Sequence, residues 1–226
     1  MRDLRALLAW LFAYQKPLRR RVVRWGPLRA APVAVGFLAV CLLVSLAWDT
    51  SGAGHRLVAA CCAYQGWQPS LGGTVRLVAG AFLLRAGYEV VWTVAATVLV
   101  TAPFEAWMGS ARMLTTIALS HLVPTVAVAA AGLAQDHRFG GGGLDVGSSA
   151  VIVAAAAGLA VRSRSLPVVG CLVIAQLVAS LVQSPLTTAE HVAAVVVGAL
   201  ATVALSWRRK QSRHGWLRAA KGDIER

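Results

Sequence analysis

The residues in this 226-residue chain best suited to chemistry are Ser149 and His191. Ser149 stands where a polar stretch, Asp145-Val146-Gly147-Ser148, passes into an apolar run rich in Ala and Gly. A helix starting there leaves backbone N–H groups without intrahelical partners, at the positive end of the helix dipole. The N–H groups of residues 148 and 149, in the turn formed by Gly147 and Ser148, could stabilise the oxyanion made when the Ser149 hydroxyl attacks a carbonyl. His191 lies near the start of another apolar run, and an imidazole within hydrogen-bond reach of the hydroxyl could take its proton. An ionisable side chain at membrane depth is a functional hypothesis by default. Each residue also has a plainer role. Ser148 and Ser149 can cap the helix, and a neutral histidine can hydrogen-bond a neighbouring one.

Acidic groups fall near the same place. Glu89, Asp145 and His191, if they converge, could raise the basicity of the histidine or bind a cation. Asp145 fits equally well as a cap that complements the helix dipole. Glu190 adjoins His191, and adjacent helical residues do not share a face. The ligand set is too sparse to specify a metal, and no cofactor is expected. His121 reads as a packed residue of an apolar run, while His55, His137 and His214 fall in loops or a tail.

The elements that must position this pair are membrane spans. Soluble domains carry roughly 25% charged residues; this chain carries 14%, with 58% hydrophobic residues and a mean hydropathy of +0.65. At about 20 residues per span, the apolar runs predict an all-α, polytopic membrane protein with six transmembrane helices. These cover residues 30–48, 88–104, 113–133, 148–161, 168–182 and 188–207. Residues 30–207 therefore form the membrane domain. Residues 1–29 form an N-terminal tail, amphipathic over 2–15 and then basic, and residues 208–226 form a basic C-terminal tail. The segment 49–87 is too polar for a span and too apolar for a free loop, so it reads as half-sunk in the outer leaflet. Residues 105–112 read as a short turn.

The net charge of +13 gathers in the tails: eight basic residues precede residue 30 and seven follow Ser206. Beside apolar spans, this places both termini on the cytoplasmic side of a multi-pass cell-membrane protein and argues against nucleic-acid binding. Arg112, Arg162 and Arg164 fall on the same side, whereas Arg56, Arg76 and Arg85 do not. The bilayer is the expected partner, with the basic N-terminal run set against anionic headgroups. Cys41 and Cys171 lie in apolar runs and Cys61-Cys62 has no partner at metal spacing, so no disulfide framework or metal site is expected. No cleavable signal peptide is visible.

In this arrangement the motifs resemble those of the rhomboid intramembrane serine proteases. That family opens its fourth span with Gly-x-Ser-Gly, matched at three elements by Gly147-Ser148-Ser149-Ala150. Its sixth span carries His-x-x-Gly-x-x-x-Gly, similar to His191, Ala194 and Gly198. Its Glu-x-x-x-Gly follows the second span, as Glu105 to Gly109 does, and its upstream Trp-Arg pair looks like Val75-Arg76. The resemblance, running from about residue 70 to 207, implies a rhomboid-like fold. Ser149 is then the nucleophile and His191 the base; Arg76, Glu105, Gly109 and Gly198 are structural, and the substrate is a transmembrane segment of another protein. The chain departs from the family at Glu89 and Thr93, where active members carry a His and an Asn that support the oxyanion hole. Ala150 and Ala194 each add a methyl. These departures motivate the alternative, a non-proteolytic rhomboid-like protein that binds transmembrane clients. A small transporter relaying protons through the buried acidic and His residues is a third reading, without an inverted repeat to support it.

Overall fold

The computed structural model describes residues 15–50, 52–62, 79–84, 87–130, 148–164, 172, 174–176, 178, 181 and 185–224, with side chains characterised up to Ser206. All regular structure among these residues is helical. In chain order the helices are α1 (15–25), α2 (Pro32–Thr50), α3 (Gly52–Cys62), α4 (Gly87–Met108), α5 (Ser110–Ala130), α6 (Ser149–Ser163) and α7 (Pro185–Ile224). A single turn, Pro27–Ala30, links α1 to α2.

Among the described residues, three helices are long and apolar enough to cross a membrane: Pro32–Asp49 in α2, all of α4, and Thr187–Ser206 in α7. Their outward faces carry bulky apolar side chains. On α4 these are Tyr88, Val91, Trp92, Val98 and Leu99; on α7 they are Val192, Val196, Leu200 and Val203. An apolar surface so extensive is unusual against water and natural against lipid. The predicted span at 168–182 falls mostly outside the described residues, as do residues 2–14 of the amphipathic segment.

A set of buried contacts ties α2, α4, α5 and α6 together. Phe104 and Met108 of α4 pack with Phe37 and Cys41 of α2, Met113 of α5, and Val151, Ala155 and Leu159 of α6. Residues 79–84 dock on α2, where the Leu84 N–H donates to Ser45 Oγ over 3.2 Å. α3 lies against α2 as well, burying Val58 with Leu83 beside Val44 and Trp48. These described parts of 49–87 thus lie on the bundle.

Helix α4 is not regular. Its turns widen to π geometry over Thr97–Thr101, and the Ala102 N–H reaches back five residues to the Thr97 carbonyl. Pro103 explains the irregularity: it has no N–H to donate, and its ring crowds the preceding turn. The carbonyls four and five residues before it belong to Leu99 and Val98, and the Gln15 amide of α1 donates to both at 3.4 Å. Neighbouring side chains supply such partners where proline interrupts a membrane helix.

One expected boundary changes. Residues 105–112 are not a turn: α4 continues to Met108, and one residue, Gly109, reverses the chain into α5. Gly109 has φ 93°, a conformation that side-chain-bearing residues rarely adopt. The last apolar span ends at Ser206, close to the expected 207, and the helix itself continues unbroken to Ile224. The sequence Trp207-Arg208-Arg209-Lys210-Gln211 contains neither Gly nor Pro to stop it.

Candidate active site

Helix α6 begins at Ser149 and runs parallel to α7. What brings them together is the absence of side chain on the facing surfaces. A Cβ built on Gly198 would overlap the backbone carbonyl of Ala154, so the two backbones touch there. Ala154, Ala155, Ala157 and Gly158 on α6, and Ala194 and Gly198 on α7, are all buried, as the small-residue pattern predicts. Replacing Gly198 with Val should force the helices apart. An overpacked core costs about 1–3 kcal/mol, so purified Gly198→Val protein is expected to unfold at clearly lower temperature in detergent. An unchanged unfolding temperature would show that the close approach is not needed.

This packing sets the register of Ser149 and His191. The Ser149 hydroxyl lies 2.8 Å from His191 Nε2, within the range for direct proton transfer. His191 is 5% exposed, at the second turn of α7. On its other side Nδ1 is 3.3 Å from the Gln176 amide nitrogen. The imidazole is therefore held at both ring nitrogens.

Ser148 does not act as the expected side-chain cap: no capping hydrogen bond joins its hydroxyl to α6. Its Oγ instead pairs with Thr93 Oγ1 of α4 at 2.8 Å, and both residues are buried. The hydroxyl is drawn away by a partner on another helix, which sequence-local reasoning does not see. Below Thr93, the Thr97 hydroxyl donates to the Thr93 carbonyl over 2.7 Å and the Thr101 hydroxyl to the Thr97 carbonyl over 3.3 Å. The first intrahelical bond of α6 runs from Ile152 N–H to Ser148 O, so the amides of residues 149–151 precede the regular ladder. Those amides adjoin Ser149 at the start of α6.

Glu89 lies one turn before Thr93 on α4 and is half-buried. Glu190 is buried, as is His191, roughly 100° away around α7. His121 is buried in α5. Asp145, Gly147 and Arg76 lie outside the described residues. Among the described residues, no three His, Cys, Asp or Glu side chains gather as a metal site.

The other expected structural residues lie at the opposite end of the bundle. Glu105 is fully buried, and its carboxylate accepts from Val33 N–H at 3.1 Å, Ala34 N–H at 2.7 Å and Ser110 Oγ at 2.6 Å. Pro32 has no N–H, and the Val35 N–H reaches Ala31 O. Glu105 thus satisfies the first-turn donors of α2 from a different helix. Near this end Arg162 stacks over Trp107, 5.4 Å from the ring centroid, and Arg112 bonds the Met108 carbonyl. Arg21 and Arg24 lie over Trp25. The bundle therefore has a basic, aromatic end and, at the other, the serine and histidine.

Gln176 was not singled out from sequence, although a signal exists. It is a lone amide among Ile174, Ala175, Leu177 and Val178, and an amide in such surroundings needs a partner. Thr188 is a second omission. Its buried hydroxyl has no hydrogen-bond partner, three residues before His191 on α7. Comparison with protein-family models, with curated proteins and with solved structures finds no match to this chain.

Proposed function

We propose that this chain is a rhomboid-like intramembrane serine peptidase, with six spans, both termini in the cytoplasm, and a site that opens near the outer leaflet of the cell membrane. Its substrate is a transmembrane segment of another protein, locally unwound to expose a carbonyl. The single observation that carries this reading is the 2.8 Å contact between Ser149 Oγ and His191 Nε2. Two features support it. Arg112 and Arg162 lie at the Glu105 end of the bundle, where α2 also begins after its basic lead-in, and the positive-inside rule favours such an end as the cytoplasmic face. In addition α6, at 15 residues, is about 22 Å long against a hydrocarbon core of about 30 Å, which sets Ser149 below the membrane surface if α6 reaches the other side.

In this mechanism the Ser149 oxygen attacks the scissile carbonyl carbon while its proton passes to His191 Nε2. The tetrahedral oxyanion is held by first-turn amides of α6. Collapse expels the amine, which takes the proton from His191, and water then hydrolyses the acyl-enzyme by the same route. A fluorophosphonate probe tests the reading directly. Folded, detergent-solubilised protein should be labelled at Ser149, and labelling should vanish in Ser149→Ala and His191→Ala. Folded wild-type protein that takes no label would end the proposal.

A second reading rests on Glu89 and on the Thr93 hydroxyl, which is engaged by Ser148. A carboxylate close to the nucleophile would oppose an oxyanion, and this favours a client-binding protein without proteolysis. The two readings part at Glu89. Removing a competing charge and adding a donor acts on the term that oxyanion-hole mutations change by about 100- to 1,000-fold. Glu89→His is therefore expected to speed labelling of Ser149 by about tenfold or more. No gain in rate would mean that Glu89 lies too far from the reacting atoms to matter.

A further inference from the structure

We infer that Gln176 is a positioning residue for His191, and that the orientation of its amide selects the imidazole tautomer a general base needs. This inference rests on the serine-peptidase reading above. Its ground is geometric: His191 Nε2 is 2.8 Å from Ser149 Oγ and Nδ1 is 3.3 Å from Gln176 Nε2. Nucleophile and amide therefore sit on opposite ring nitrogens of a residue that is 5% exposed.

The chemistry follows from the proton count. To accept the Ser149 proton, Nε2 must be bare, so the single proton of a neutral imidazole must be on Nδ1. That N–H then needs an acceptor, since a buried donor left unpaired is costly. A primary amide can meet either tautomer, because half a turn about its last side-chain bond exchanges its oxygen and nitrogen. With the amide nitrogen toward the ring, as it lies in the structure, Gln176 donates to Nδ1. The ring proton then resides on Nε2 and points at Ser149, and the hydroxyl is not activated. Turned over, Gln176 Oε1 accepts the Nδ1–H and Nε2 is free to accept from Ser149. During acylation the serine proton moves to Nε2, and the Nδ1–H stays bonded to Oε1. No proton passes to the amide.

This makes the third member of the site a neutral group. A carboxylate in the same position would bond the imidazolium more strongly, but an ion at membrane depth is expensive to insert. The amide provides orientation without that cost, and it allows a resting and an active arrangement in one side chain.

Two substitutions separate this role from mere packing. Gln176→Met is close in volume but offers nothing to Nδ1, whereas Gln176→Glu offers an acceptor alone. The ring nitrogens of His191 are followed by 15N NMR of histidine-labelled protein in micelles, with His191→Ala identifying the resonances. Neutral His191 should carry its proton on Nδ1 in Gln176→Glu and on Nε2 in Gln176→Met. Fluorophosphonate labelling of Ser149 should stay within a few-fold of wild type in the Glu variant and fall about 10- to 100-fold in the Met variant, a fraction of what general-base catalysis contributes. The same tautomer in all three proteins overturns the inference, as does wild-type labelling in Gln176→Met. If Gln176→Met does not fold, the Gln176→Glu tautomer still decides. Wild-type protein that takes no label, with the tautomer still following residue 176, shows instead that the peptidase reading has failed while the contact is real.

Discussion

On the proposed peptidase reading, Ser149→Ala, His191→Ala and the double variant are expected to cleave a transmembrane substrate at one common residual rate, roughly ten-thousandfold or more below wild type. The reason is that the two side chains form one unit. Without His191, the hydroxyl has no acceptor for its proton at 2.8 Å; without Ser149, the histidine has no nucleophile to activate. On the peptidase reading, losing either member removes cleavage, and a second loss adds little. The measurement is initial cleavage rate in proteoliposomes with a single-span reporter substrate, alongside unfolding temperature to show that each variant is folded. Effects that multiply in the double variant would mean that the residues act independently, and the 2.8 Å contact would then be structural.

The largest expected effect on stability is at Glu105, far from that chemistry. Glu105→Ala deprives two backbone N–H groups and the Ser110 hydroxyl of their acceptor in a fully buried setting. Hydrogen bonds to charged groups are worth about 1.5–3 kcal/mol each, and unsatisfied buried donors add a desolvation penalty. The carboxylate also faces the positive end of the α2 dipole. The bonds overlap in one carboxylate, so their values do not simply add, and a loss of about 3–5 kcal/mol is expected. Glu105→Gln should cost less, about 2 kcal/mol, because one oxygen still accepts while the amide NH2 opposes the other backbone donor. Reversible unfolding in mixed micelles would rank the three proteins. An Ala variant as stable as wild type would show that water replaces the carboxylate, which a buried site should not permit.

Much of this arrangement was legible in the chain. The small residues of α6 and α7 announced a close helix pair, and Gly198 against Ala154 is where that pairing is tightest. Glu105 and Gly109 were marked by the resemblance to a family motif, and the turn proved shorter than expected because one positive-φ glycine suffices to reverse the chain. Capping, the plainer role open to Ser148, is not what its hydroxyl does. Capping preferences describe what a helix terminus offers its own side chains, and they are silent about a hydroxyl arriving from α4. Gln176 was passed over for a similar reason. A single amide in an apolar run shows that a partner is needed but not which one.

By itself the sequence determined the elements: apolar runs long enough to cross a membrane, a serine at the start of one and a histidine early in another. Hydrophobic content and spacing are local properties, so they can be read one stretch at a time. Only the tertiary structure decided that Ser149 and His191 meet, that Gln176 holds the far side of the ring, and that Thr93 takes Ser148. Each is a contact of a few ångströms between helices distant in sequence. Such contacts depend on rotation and register about the helix axes, set jointly by packing at Gly198, Ala154 and Phe104. No single helix carries that information.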